Sequence, residues 1–187
     1  MLTPIQLEHF KCFEVLKLPL ADLTLLSGAN ATGKSSVLQS LLLLHQTLRF
    51  NQSSSDIVLN GYAVQLGTVG DVVDQTSGRG TIAIELHSSD FECRWTMEAA
   101  DRRMLGFPVH QISWRTAPKW SNKELVVNVE EKLDYLLPQL ISKSPPAQSV
   151  VQSLLQLSYV SADRSAPREA YPVAVDSLYP NIGHWFS

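Results

Sequence analysis

The stretch that decides the fold is Gly28-Ala29-Asn30-Ala31-Thr32-Gly33-Lys34-Ser35. It fits the pattern GxxxxGK[ST], in which glycines let the backbone bend so that successive N–H groups point into one concavity. Lys34 is long enough to reach the β and γ phosphates of a nucleotide. The Ser35 hydroxyl can ligate a Mg²⁺ ion that bridges the same phosphates. The pattern therefore predicts a phosphate-binding loop for ATP and Mg²⁺ over residues 28–35.

The flanks of this loop are those of a strand–loop–helix unit. Leu23-Thr24-Leu25-Leu26 is a nearly continuous apolar run, which predicts a central strand buried on both faces. From Gly33 to Phe50 apolar residues recur at three- and four-residue steps, which predicts an amphipathic helix. A helix that begins at the loop directs the positive end of its dipole at the bound phosphate. This context makes a chance match in a surface loop the weaker interpretation.

Around that unit the chain reads as three regions. We predict a P-loop core over residues 1–56, with strands at 3–9 and 14–18. Residues 57–130 are predicted to be an antiparallel β lobe, because short alternating runs are separated by turn residues. The runs are Thr81–His87, Phe91–Met97, Val109–Arg115 and Glu124–Val129. Residues 131–187 are predicted to hold a helical segment and a return strand, with helices at 131–142 and 147–157 and a strand at Leu157–Ser161.

Composition excludes several classes of protein. The chain has 187 residues, is 44% hydrophobic and 18% charged, and carries a formal net charge of −3. This balance is typical of a soluble globular protein, and it shows no overall basic footprint for DNA. Cys12 and Cys93 are far apart and form no metal or disulfide pattern, so we expect two reduced thiols. No apolar run approaches about 18 residues, so we predict a cytoplasmic protein with no membrane partner.

A resemblance to a known family follows from three stretches. They are Ile5 to Phe13, the run Leu23–Leu26, and the loop that contains Asn30. Together they resemble the opening of ABC-type ATPases of the SMC, RecF and OLD-nuclease kind. His9 stands where these proteins often have Asn, and Ala31 where they often have Gly. Further stretches up to Arg164 resemble bacterial AAA-family ATPases that carry an uncharacterised domain and often sit in defence loci.

The resemblance covers nearly the whole chain, but only the N-terminal half of such an ATPase. It implies an α/β P-loop NTPase fold of the ABC/SMC-like head type, incomplete at its C-terminal end. It also implies a role in anti-phage defence or DNA maintenance, and a homodimer or a C-terminal-half partner that completes the ATP site. A nuclease or other effector subunit and DNA are further partners that it suggests. Lys11 corresponds to the family's basic residue on the first strand, close to the nucleotide.

The predicted ligand-binding residues follow from the motif and the resemblance together. For the nucleotide they are Lys11, Gly28, Ala29, Asn30, Ala31, Thr32, Gly33, Lys34, Ser35 and Ser36. For Mg²⁺ they are Ser35 and Gln75, since ABC-type heads use a glutamine from a loop after the first strands; Gln65 is the other option. Asp163, Arg164 and Arg168 form a candidate basic edge for phosphate, DNA or a neighbouring subunit, or an ion-paired surface loop.

The residues that ATP hydrolysis requires are harder to identify in the sequence. Hydrolysis needs an apolar strand ending in Asp-Glu, where Asp supports Mg²⁺ and Glu orients the attacking water. The best candidate ends in Glu130-Glu131, but Asn128 interrupts the apolar run, and alternation there favours a half-buried antiparallel strand. No serine-glycine signature motif precedes it. Whether the chain hydrolyses ATP therefore stays open, and its catalytic residues are unassigned.

Two other functions compete with this interpretation. The chain could be a non-hydrolysing nucleotide sensor or scaffold, in which ATP holds subunits together. It could also be a P-loop phosphotransferase, a class that needs an Arg-rich helical lid soon after the loop. Because residues 57–130 read as strands, the sequence favours the phosphotransferase least.

Overall fold

The computed structural model describes residues 2–74, 80–117, 125–128 and 133–160. The chain divides into two compact units, Met1–Leu155 and Gln156–Ser187, and every helix and strand below belongs to the first. In the second unit, the described residues 157–160 carry no strand, so the prediction of a strand at Leu157–Ser161 is wrong for them. Among the described residues, no helix is both long and apolar enough to cross a membrane.

The described residues of the first unit form a seven-stranded sheet. Its order is β2-β1-β4-β5-β6-β3, with β7 also pairing with β6, and each of these pairings is antiparallel. The strands are β1 (Leu2–Phe10), β2 (Phe13–Pro19), β3 (Asp56–Val58), β4 (Thr81–Ser88), β5 (Phe91–Glu98), β6 (Gly106–Thr116) and β7 (Leu125–Asn128). The two predicted N-terminal strands and the four predicted runs after residue 80 are confirmed. Alternation identified them because one face of the sheet is buried and the other is polar.

In the described part of the chain four helices accompany the sheet: α1 (Lys34–Phe50), α2 (Val69–Val72), α3 (Gln139–Ser142) and α4 (Pro145–Leu155). The predicted helix after the loop is confirmed as α1, and α1 packs against α4 and β3. The inner face of the sheet supplies fully buried side chains such as Ile84, Leu86 and Cys93 to the core. Burial raises the pKa of the Cys93 thiol well above its usual value.

The predicted helix at 131–142 is largely wrong. A short hairpin, β8 (Leu133–Asp134) and β9 (Leu137–Pro138), occupies the middle of that range, and α3 forms only its end. Tyr135 and Leu136 both have positive φ, 53° and 58°, as the two central residues of a type I′ turn require. Trp95 Nε1 donates a hydrogen bond to the Leu136 carbonyl at 2.7 Å, so a partner distant in sequence holds this turn.

His45 is a buried polar residue of α1. Its side chain is 4% exposed and its ring joins three elements of the chain. Burial lowers the pKa of His45, which favours the neutral ring. Nδ1 then donates to the Leu154 carbonyl at 2.7 Å, and Nε2 accepts from the Tyr62 hydroxyl at 2.6 Å. These bonds tie α1 to α4 and to the segment after β3.

The run Leu23–Leu26 forms no strand. The main-chain N–H of Leu20 makes the last bond to the sheet, to the carbonyl of Thr3, and the chain then leaves it. Leu23 and Leu25 are 87% and 86% exposed, so the prediction of a buried central strand is wrong for this structure. The physical reason is the absence, among the described residues, of any strand that pairs with this run. A strand is buried only by its neighbours, whatever its own composition.

Ion pairs organise the outer, polar face of the sheet. Arg94 on β5 forms two parallel bonds to Glu8 on β1, at 2.8 and 2.5 Å, and reaches Glu85 on β4 at 3.3 Å. The Arg94 guanidinium lowers the pKa of Glu8 to about 2, against the opposing effect of burial. A carboxyl whose pKa falls on folding stabilises the folded state at pH values above its unfolded pKa, which is 4.5 for Glu8. This stabilisation is lost as the pH falls towards the folded pKa of about 2.

We therefore expect Arg94→Ala to lower the free energy of unfolding at neutral pH. The two side chains retain 26% and 25% exposure, so solvent screening should limit the loss to about 1–2 kcal/mol. The deficit should shrink as the pH falls below 4.5. Urea unfolding at neutral and acidic pH measures both effects. Arg103→Ala, which breaks an exposed pair with Asp101, is the control and should change nothing. A deficit that does not change with pH would contradict this account.

Candidate phosphate-binding site

The two glycines of the motif adopt backbone conformations that other residues avoid. Gly28 has φ 149° and Gly33 has φ 89°. A Cβ on Gly33 would lie 2.6 Å from Cys12 Sγ and closer still to Phe13 Cζ, so the turn between β1 and β2 packs directly beneath the loop. Ala31 also has a positive φ, 63°, which explains physically why glycine is the easier residue at that position.

The N-terminus of α1 lacks the usual caps of a helix. Its N-cap residue is Gly33, which has no side chain to cap the first turn, and that turn contains no acidic residue. The first N–H groups of a helix have no partner within the helix, and they carry the positive end of its dipole. In a helix of 17 residues this end is suited to an anion such as phosphate.

Lys34 is folded back onto its own loop. Its Nζ donates to the Gly28 carbonyl at 2.8 Å and to the Ala29 carbonyl, and it lies 3.4 Å from Thr32 Oγ1. Thr32 Oγ1 in turn donates to the Ala29 carbonyl at 2.9 Å. Neutral carbonyls therefore hold the lysine cation at the mouth of the loop. Phosphate oxygens would be stronger acceptors for the same ammonium group, because both partners would be charged.

A cavity of about 290 Å³ lies at the loop. Its walls are Cys12 and residues 30–36, and none of these described lining residues is acidic. The cavity thus combines the Lys34 cation, an uncapped helix end and the exposed Ser35 hydroxyl, a set of donors that fits a polyphosphate. For Mg²⁺ the same walls offer Ser35 as an oxygen ligand but no carboxylate, so they fit the ion in part.

Comparison with known families agrees with this geometry. A model of the AAA ATPase domain family matches residues 1–144, which include β1 to β7, α1 and the whole loop. The chain belongs to this family. No protein of curated function and no solved structure matches it significantly. Family membership supports a nucleotide-binding ATPase, and ATPases of this family typically use Mg²⁺.

The resemblance placed Lys11 on the first strand, but in this AAA ATPase domain Lys11 follows the last residue of β1. It lies in the turn after β1, with φ 54°. Its N–H donates to the Val72 carbonyl at 2.7 Å and its Nζ to Gln39 Oε1 at 2.8 Å, and burial lowers its pKa. These contacts tie the turn to α2 and α1. The neighbouring Cys12, which the sequence did not identify, lines the cavity instead. A contact of Lys11 with nucleotide stays a prediction.

Most of the remaining predicted site residues lie outside the part of the chain that the structure describes. Gln75, Glu130 and Glu131 lie outside the described residues, as do Asp163, Arg164 and Arg168. Gln65 is exposed and forms an isolated bridge with Asn60. The assignment of Gln75 to Mg²⁺ therefore stays a prediction.

A second cavity, of about 330 Å³, lies on the outer face of the sheet and is not a rival ligand site. Its charged lining residues already form ion pairs with one another. Arg94 is bonded to Glu85, and Arg115 to Glu92 at 2.5 Å. A ligand would have to break these pairs, whereas the loop offers donors without acidic partners.

Proposed function

We propose that this chain is the ATP-binding subunit or half of an ABC/SMC-like ATPase. In this proposal Mg-ATP binds at residues 28–36, and a partner chain completes the hydrolytic site. The observation that carries the proposal is the loop before α1, where Lys34 lies at an uncapped helix end with no acid nearby among the described lining residues. A role in anti-phage defence or DNA maintenance comes from the resemblance to ABC-type ATPases alone.

The composition of the cavity supports the need for a partner. Hydrolysis requires a carboxylate to support Mg²⁺ and a base or polar group to orient water. The described lining supplies hydroxyls, main-chain N–H groups and one ammonium, but no such carboxylate. A second copy of this chain or a C-terminal-half ATPase would supply it. Family resemblance adds DNA and an effector such as a nuclease as further partners.

The same observation favours one alternative, a non-hydrolysing sensor or scaffold. A site that binds Mg-ATP without a catalytic acid would hold the nucleotide intact. ATP would then act as a link between subunits rather than as a fuel. The phosphotransferase alternative has less support, because antiparallel strands occupy the region after α1 and β3 where a helical lid would lie.

Two measurements on the purified chain test the proposal. Calorimetric titration with Mg-ATP should show saturable binding, and release of inorganic phosphate should stay at the level of a Lys34→Ala control. Absence of ATP binding would overturn the proposal. Turnover above the control would place the catalytic acid within this chain, and Glu130 and Glu131 would be the first residues to replace. Turnover only after a partner is added would support the ATPase over the scaffold.

A further inference from the structure

The last turn of α4 is held by side chains of another helix. α4 ends at Leu155 and has no basic residue in its own last turn. The final carbonyls of a helix have no partner within it and carry the negative end of its dipole. His45 Nδ1 donates to the Leu154 carbonyl, and an Arg49 N–H donates to the next carbonyl, each at 2.7 Å. Residues 45 and 49 lie four apart on α1, so both bonds come from one face of that helix.

The hydrogen bonds of His45 determine where its protons lie. A carbonyl only accepts, so the Leu154 carbonyl requires a proton on Nδ1 in both charge states of the ring. In the neutral ring Nε2 therefore keeps its lone pair, and it accepts from the Tyr62 hydroxyl at 2.6 Å. A second proton turns Nε2 into a donor, which then faces the hydrogen that Tyr62 donates. The ring is 4% exposed, so water has little access to replace the lost bond.

The surroundings of the ring favour its neutral form. Burial lowers the pKa of His45 by more than the bond to the Leu154 carbonyl raises it, and the Arg49 guanidinium of the same helix lowers it further. α4 faces the ring with uncharged groups alone, and the segment after β3 contributes the Tyr62 hydroxyl. In the part of the chain that the structure describes, no carboxylate is bonded to the ring.

This difference in proton affinity makes the contact depend on pH. A ring released from the contact regains the ordinary histidine pKa of 6.5, whereas the pKa of the enclosed ring is lower. As the pH falls below 6.5 the released state takes up a proton first, so the enclosed state loses stability over that range. At higher pH both states are neutral and the contact has its full strength.

We propose that His45 is a proton-operated latch, a contact that holds the C-terminal turn of α4 against α1 while the ring is neutral and releases it when the ring takes up a proton. Release is confined to the end of the helix, because Ala147 and Val150 anchor its earlier turns in the core. The phosphate-binding loop lies at the other end of α1, about 16 Å from residue 45 along the helix axis. The latch is therefore a property of this chain beyond nucleotide binding.

Hydrogen exchange of the full chain at about pH 7.5 and about pH 5.5 tests the latch. After correction for the intrinsic effect of pH, protection at residues 151–155 should fall several-fold, with a limit of about tenfold for uptake of one proton over this range. Protection in β4 and β5 should not fall. His45→Asn keeps an N–H in the place of Nδ1 but cannot take up a proton, so its protection should not depend on pH. His110→Asn is the matched control, because His110 is 57% exposed, and this variant should behave as the wild type.

Three outcomes of the exchange experiment overturn the latch. One is equal protection at 151–155 at both pH values in the wild type, and another is the same loss in His45→Asn. The third is an equal loss in β4 and β5, because that shows global unfolding. The NMR signal of the His45 ring decides if His45→Asn does not fold: it should titrate below pH 6.5 in the folded wild type, and titration at or above 6.5 refutes the latch. None of these measurements uses Mg-ATP, so failure of the latch and failure of nucleotide binding are told apart.

Discussion

Replacing Lys34 by alanine is expected to lower the affinity for Mg-ATP roughly a hundredfold, since charge-assisted bonds to phosphate contribute about 2–3 kcal/mol. The fold should survive, because the Lys34 ammonium bonds only to atoms of its own loop, and water can replace it there. We expect Gly28 and Gly33 to keep their backbone conformations when this side chain is removed. The loss should therefore appear in binding and not in thermal stability.

Calorimetric titration and a thermal unfolding curve measure the two properties on the same sample. Lys17→Ala is the matched control, because Lys17 is an exposed lysine on β2 and lies outside the residues that line the cavity. Its affinity for ATP should equal that of the wild type. Equal affinity in the Lys34 variant would refute the phosphate-binding role of the loop. A variant that binds poorly only because it is unfolded would contradict the expectation of an intact fold.

Local signals in the sequence located the loop, its helix and most of the sheet. The motif identified the loop because its glycines report backbone conformation directly, and both have positive φ. Alternation located β4, β5 and β6, since each strand has one face in the core. These features are set by residues that are close together in the sequence, so the sequence pattern was sufficient to predict them.

Other features depended on contacts between distant residues, and there the sequence was insufficient. Leu23–Leu26 has the composition of a buried strand, yet burial requires a partner strand that the described residues do not provide. His45 is buried because α4 and Tyr62 close over it. Cys12 reaches the site only because a hairpin turn folds under Gly33. The periodicity of the sequence predicts none of these three features.

The second large effect is expected at Gly33. Alanine there must adopt φ near 89°, and its Cβ would collide with Cys12 Sγ and the Phe13 ring. Strain and overpacking together should lower the free energy of unfolding by about 2–4 kcal/mol. Relief of the collision requires residue 33 to shift, and the start of α1 must shift with it. Mg-ATP binding should therefore fall as well. Urea unfolding and calorimetric titration measure the two losses.

The control is the opposite substitution, alanine to glycine, at residue 31. Ala31→Gly removes a Cβ from a residue with φ 63°, so it should be neutral or stabilise by up to about 1 kcal/mol. Adding Phe13→Leu to Gly33→Ala should recover the part of the loss due to collision with the ring and leave the parts due to φ and to Cys12 Sγ. A Gly33→Ala variant of wild-type stability would show that the turn between β1 and β2 does not support the loop. A fall in ATP binding without a fall in stability would instead mean that Gly33 acts on the ligand alone, and the packing beneath the loop would have no part in holding the site.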